Sequence, residues 1–163
     1  MKHRVLALAF VFFTVLINSC SQSSNLPNDL AKVLQVVDGD TVVLDLDGST
    51  ETVRLIGINT PETVHPSKPV ECFGPEASVY LQALLKPNTR VRVQRDIEAR
   101  DRYKRLLVYI YLLDGTFVNE QLLRKGFART LQIEPNTTFA TIFALIETGA
   151  RTNRVGLWQA CQR

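Results

Sequence analysis

The sequence holds no internal repeat and no low-complexity run, which excludes a solenoid array and a disordered tail. It has no apolar stretch long enough to span a bilayer comfortably, a feat that takes about 20 residues. The longest such stretch, Val5 to Ile17, covers 13 residues and is broken by Thr14. Histidine is scarce, with two in the chain. His65 has no second histidine near it in sequence and reads as a solvated loop residue. Cysteine is scarce too, with three. Charge of one sign is also lacking. The full chain carries +3, and removing residues 1–19 takes away two basic residues and no acidic one, leaving +1. Net charge therefore gives no argument for a polyanionic partner, and only local clustering can.

What is present is a core-forming composition, 45% hydrophobic and 21% charged over 163 residues, a one-domain length. Lys2 and Arg4 precede the Val5 to Ile17 run, giving a basic start and an apolar segment of signal-peptide length. Ile17-Asn18-Ser19-Cys20 closes it and resembles a bacterial lipobox, with Asn18 an unusual filler. The expected organisation is a lipoprotein signal peptide over 1–19, lipidation of Cys20, a polar tether over 20–30 and one domain over 31–163. The protein is then exported and anchored to the cell envelope through its N-terminal lipid alone. Plain secretion with a nearby cleavage is the alternative. Export places Cys72 and Cys161 in an oxidising compartment, where the even pair can bridge or remain as two thiols.

Strands are expected at Ala31 to Asp38, Thr41 to Leu46, Glu51 to Ile58, Arg90 to Arg95 and Leu106 to Leu112. Gly39, Asp47-Gly48 and Asp114-Gly115 supply turns. Thr60 to Gly74, with Pro61, Pro66 and Pro69, is a surface loop. Gly74-Pro75-Glu76 opens a helix that Pro87 stops. Asn119 to Lys125 is a second helix capped by Gly126. A third starts near Thr138 and carries a core stripe of Phe139, Ile142, Phe143 and Ile146. Trp158 is expected to pack. The fold class is α+β: a five-stranded OB-fold barrel with three helices.

The stretch from Val36 to Thr63 carries the chemistry. Asp40, Asn59 and Glu62 put acidic and amide oxygens at strand ends, with Arg54 in the strand between. Hard oxygen donors suit Ca²⁺ or Mg²⁺. A guanidinium beside them suits a phosphate, because its planar fork holds two oxygens. Arg90 to Arg105 adds six arginines and Lys104 against Asp96, Glu98 and Asp101, a local balance of +4 that can track a phosphate backbone or simply face solvent.

Asp38-Gly39-Asp40-Thr41, Arg54-Leu55, Asn59-Thr60-Pro61-Glu62-Thr63, Gly74-Pro75-Glu76-Ala77-Ser78, Tyr103 with Arg105 and Leu106, Asp114-Gly115 with Val118-Asn119-Glu120, and Gly156-Leu157-Trp158 follow one another in the order and approximate spacing of one family. The chain resembles the staphylococcal nuclease (thermonuclease) family from about Ala31 to Trp158. The resemblance implies a monomeric Ca²⁺-dependent nuclease that cuts DNA and RNA, favours single strands and leaves 3′-phosphate ends. It implies Asp40, Asn59 and the Thr60 carbonyl as cation ligands, with Glu62 near the attacking water. It implies Arg54 and Arg105 on the scissile phosphate. Tyr103, with Arg102 where the family has lysine, would contact a terminal phosphate. Asn59 departs from the family's aspartate, and Thr130 to Glu134 lacks the family's tyrosines. A barrel that binds nucleic acid with weak or no cleavage, or an envelope interaction protein on the same scaffold, are the alternatives.

Overall fold

The strands follow from alternation. In Arg90–Gln94 the two valines are buried and Arg90, Arg92 and Gln94 are exposed, the period-two signature of a sheet with one wet face. A computed structural model describes residues 30–63 and 69–161. Strands β1 (Leu30–Asp38), β2 (Thr41–Leu46), β3 (Ser49–Leu55) and the short β4 (Gly57–Asn59) precede helix α1 (Gly74–Leu84). Then come β5 (Arg90–Gln94), β6 (Leu106–Leu112), α2 (Val118–Arg124), β7 (Arg129–Leu131), α3 (Ala140–Thr152) and α4 (Leu157–Ala160).

Five strands close a barrel in the order β1-β2-β3-β6-β5, the α+β OB-fold architecture. All neighbours are antiparallel except β3 and β6, which run parallel and pair Arg54 with Leu107. Val33, Leu44, Val53, Leu55, Val91, Val108 and Ile110 fill the interior. Burying each such side chain contributes roughly 1.5–3 kcal/mol. Register shifts after Val33 and Val36 break the alternation of β1, and Asp38 ends up buried at its end.

The third strand is shorter than the sequence pattern predicts. It stops at Leu55, and the chain turns into β4, which pairs with β7 in a separate two-stranded sheet. Gly57 makes the break possible. Its φ is +78°, and a Cβ there would stand 2.6 Å from the Phe143 ring. The strand β7 and the four-residue α4 are additions to the expected element list. Leu30, assigned to the tether by composition, is already the first residue of β1.

On α1, Ala77, Leu81 and the following Leu85 face the core. On α3 the expected stripe is partly displaced: Phe143 is buried, while Ile142 is 45% exposed, because Phe139 sits at the cap and the inward face continues to Ala150. Tyr109 meets Phe117, Phe139 and Phe143 edge-to-face, with Tyr109 and Phe139 centroids 4.6 Å apart. Burial pushes the Tyr109 hydroxyl above its ordinary pKa, and its bond to Asp96 adds to that. Asn119 is fully buried on α2. Its Oδ1 accepts from Ile110 N–H at 3.0 Å and its Nδ2 donates to Ile56 O at 2.9 Å, pinning β6 and the break after β3 to one helix. The Arg129 and Arg151 guanidiniums lie over the Trp158 ring, 4.3 and 5.0 Å from its centre. Cys72 and Cys161 are joined by a disulfide, with Cα atoms 5.9 Å apart. Cys20, the signal segment and His65 lie outside the described residues.

Candidate nucleic-acid cleavage site

Asp40 shares a turn with Gly39 and directly precedes β2. Gly39 lets Thr60 approach: a Cβ at that glycine would lie 2.6 Å from Thr60 Oγ1. Asp40 Oδ2 accepts from Thr60 N–H at 2.9 Å and from Thr60 Oγ1 at 3.0 Å. The same oxygen lies 2.9 Å from Arg54 Nη2. Burial pushes the Asp40 carboxyl above the ordinary carboxylate range, opposed by Arg54 and by the Thr60 N–H bond. Burial likewise lowers Arg54, opposed by Asp40, and a guanidinium so lowered still keeps its proton. The two charges hold each other in the interior.

Arg54 is further fixed by donating to Leu55 O at 2.6 Å and to Asn59 Oδ1 at 3.0 Å. Asn59 Nδ2 in turn donates to Thr60 O at 3.3 Å. The oxygens that could serve a cation here are the Asp40 carboxylate, the Asn59 amide oxygen and the Thr60 carbonyl, each already engaged by a neighbouring side chain. All are hard oxygens, and one is charged. Among the described residues no group of three or more His, Cys, Asp or Glu side chains forms a metal-binding cluster. The set fits an oxygen-seeking divalent ion such as Ca²⁺, of low site charge, and does not fit a thiophilic metal.

Arg105 immediately precedes β6, whose parallel pairing with β3 sets Leu106 opposite Val53 and Leu107 opposite Arg54. Its charge is close enough to bear on Arg54. Asp101 holds it twice, accepting from Arg105 Nε at 2.7 Å and from its backbone N–H at 3.0 Å. Tyr103 is 64% exposed, with Arg102 and Arg105 over its ring at 4.8 and 5.5 Å. Arg102 also donates to the Tyr103 hydroxyl at 2.7 Å.

Glu62 lies on the loop after β4. Its Oε1 accepts from Thr63 N–H at 3.0 Å. Thr63 and Ser78 hydroxyls both donate to Asp38 Oδ1, at 2.7 and 3.2 Å, so the buried end of β1 ties this loop to α1.

Asp40, Arg54, Asn59, Thr60, Glu62, Arg102, Tyr103 and Arg105 all line one cleft of about 880 Å³. Arg90 and Arg92 lie outside it on the exposed face of β5, where Arg92 stacks over Tyr111. Leu131 and Ile133, in the segment that lacks the family's tyrosines, border the cleft. Sequence reasoning missed Asp101 and Glu71 as parts of this wall. Asp101 has a signal, four residues before Arg105 in a tight turn. Glu71 has none, since its tie to Glu62 depends on how the loop closes.

The profile of the family described as Staphylococcal nuclease homologue matches residues 52–160. The chain is 39% identical over 127 residues to the thermonuclease of Staphylococcus intermedius, covering 78% of this chain and 74% of that one. It is 37% identical over 135 residues to the thermonuclease of Staphylococcus hyicus, covering 83% and 79%. It is 36% identical over 126 residues to Endonuclease YncB of Bacillus subtilis (strain 168), covering 76% of this chain and 59% of that protein. With a profile match over residues 52–160 and two thermonuclease relatives at 37–39% identity, of which it covers 74% and 79%, the chain belongs to the staphylococcal nuclease homologue family.

Proposed function

We propose that this protein is a Ca²⁺-dependent nuclease that hydrolyses phosphodiester bonds of DNA and RNA, favours single strands and leaves 3′-phosphate ends. One observation carries the reading: Arg54 and Arg105, 51 positions apart in the chain, line the same cleft as Asp40 and Glu62. The names of the thermonuclease and endonuclease relatives support it.

The chemistry follows from charge. Attack of water on a phosphodiester builds negative charge on the non-bridging oxygens, and two guanidiniums aimed at that charge stabilise it. Arg105, gripped by Asp101 through Nε, presents its terminal nitrogens as a planar fork. Arg54 is largely buried and locked, so it needs no reorganisation as charge develops. Glu62 orients the attacking water and stands ready to accept its proton. Tyr103 and Arg102 hold a terminal phosphate. A divalent cation held by Asp40, Asn59 and Thr60 would add fixed positive charge against the same phosphate oxygens. The lipid anchor at Cys20 and an extracytoplasmic site of action belong to the same proposal; a Cys20→Ala chain leaving the membrane fraction is the expected result.

A fluorogenic single-stranded DNA assay with Ca²⁺ and then with chelator tests the activity. Cleavage that the chelator abolishes supports the enzyme. Retention of the strand without cleavage favours a binding module, to which the single charged cation ligand lends some weight. Neither result leaves the fold as a scaffold for another interaction.

A further inference from the structure

We propose that Glu71 is a positioning residue for Glu62, an inference that rests on the nuclease reading of the cleft. The backbone at Glu62 lies beyond the β4–β7 ladder, which ends at Asn59. It needs other partners, because a backbone that carries a reacting side chain must not drift. Glu71 supplies two. Its N–H donates to Glu62 O at 2.9 Å, and its side-chain Oε2 accepts from Glu62 N–H at 3.1 Å. The pair is a closed two-way clamp in which one of the four bonding groups is a side chain. With that segment held, Thr63 N–H is in place to bond Glu62 Oε1 and aim the carboxylate.

Glu71 itself stands on a fixed platform. Its carbonyl accepts from Gly74 N–H at 3.1 Å, at the start of α1. Cys72, the next residue, is bonded to Cys161. Phe73 stacks on Phe127 with centroids 5.4 Å apart. Gly74 lets the helix start press on the clamped segment: a Cβ there would lie 2.7 Å from Thr63 Cγ2 and 3.1 Å from Glu62 O. Glu71 thus does for Glu62 what Asp101 does for Arg105: an acidic side chain on a rigid anchor sets the direction of a group that faces the cleft. Its charge is not what the clamp uses. The acceptor oxygen is.

The test compares Glu71→Ala, Glu71→Gln, Glu62→Gln and the Glu62→Gln/Glu71→Ala double variant against single-stranded DNA. Glu71→Ala should lower kcat roughly ten- to a hundred-fold, as expected for a small misplacement of a reacting group, with KM nearly unchanged. Glu71→Gln keeps an acceptor oxygen and should recover most of that loss. In the Glu62→Gln background Glu71→Ala should cost less than about two-fold, since the residue it positions is gone. Equal losses in both backgrounds, or wild-type kcat in Glu71→Ala, overturn the proposal. Wild-type turnover in Glu62→Gln overturns it too, by removing Glu62 from the reaction. A second readout needs no activity. Amide exchange at Glu62 should accelerate in Glu71→Ala while barrel amides such as Val53 stay protected, and unchanged protection at Glu62 counts against the clamp. A wild-type chain that cuts nothing refutes the nuclease reading alone, and that exchange measurement still decides the clamp.

Discussion

The Arg54 guanidinium bridges Asp40 and Asn59, 2.9 Å from the carboxylate and 3.0 Å from the amide oxygen. One arginine thereby ties two of the three oxygen groups that face the proposed cation. Only one of those two carries charge. Changing Asn59→Asp adds a second carboxylate against both Arg54 and the cation. The Ca²⁺ needed for half-maximal cleavage should fall by about an order of magnitude, because ligand charge count tunes such sites over decades. Activity and calorimetric titrations over Ca²⁺, Mg²⁺ and Mn²⁺ check this. A Ca²⁺ requirement that does not move removes Asn59 from the ligand set.

Arg105→Lys keeps the charge and loses both the fork and the Nε bond to Asp101. Turnover should fall roughly 10²- to 10³-fold, the usual loss when one preorganised donor to a transition-state anion is removed. Stability should change little, since the Arg105–Asp101 pair is partly solvated and worth at most about 1 kcal/mol. Steady-state kinetics beside a thermal melt separates the two. Wild-type turnover would take Arg105 out of the mechanism.

The Cys72–Cys161 bridge joins positions 89 apart and closes a loop that holds the helices α1 to α4 and two of the five barrel strands, β5 and β6. Chain entropy assigns a loop of that length about 4–5 kcal/mol, and removal of native bridges typically costs about 2–5 kcal/mol. The Cys72→Ser/Cys161→Ser variant should unfold at clearly lower urea with a steeper slope, because the unbridged denatured chain exposes more surface. A midpoint equal to the wild type would show that the unbridged chain is already restrained.

Asp96 gives a pH dependence. Burial raises its pKa, but bonds from the Tyr109 hydroxyl, from Thr138 and from Ile97 N–H outweigh this and hold it below the ordinary carboxylate value. A depressed folded-state pKa contributes stability that is present above the unfolded value of about 3.9 and is lost as pH falls through the folded one. The thermal midpoint of the wild type should exceed that of Asp96→Asn near neutrality. The gap should close as the pH is taken below about 4. A gap independent of pH would assign the effect to shape instead of charge.

Much of this architecture was readable because it rests on local rules. Val91 and Val93 alternate with arginines, Pro75 opens α1, and Asp47-Gly48 turns a hairpin, so the elements and the barrel class follow from sequence. The break after Leu55 was not readable. It needs Phe143, 86 positions on, to fill the space that Gly57 leaves open. Nor was β7, whose three residues become a strand only because β4 has been turned toward them. In the cleft the same division holds. Asp40, Arg54, Asn59, Glu62 and Arg105 sit in short motifs that a resemblance can carry. Glu71 and Asp101 are visible only once the loops that hold them are closed.

The parallel ladder between β3 and β6 has a consequence for the timing of activity. With the β1–β5 seam it is one of the two long-range closures of the cylinder, its sides separated by β4, α1 and β5, and such distant pairings form late. A chain halted before that step owns both guanidiniums and has no shared place for them. Strand cleavage during refolding should therefore act as a clock for ring closure, silent while helices and hairpins are already signalling by circular dichroism.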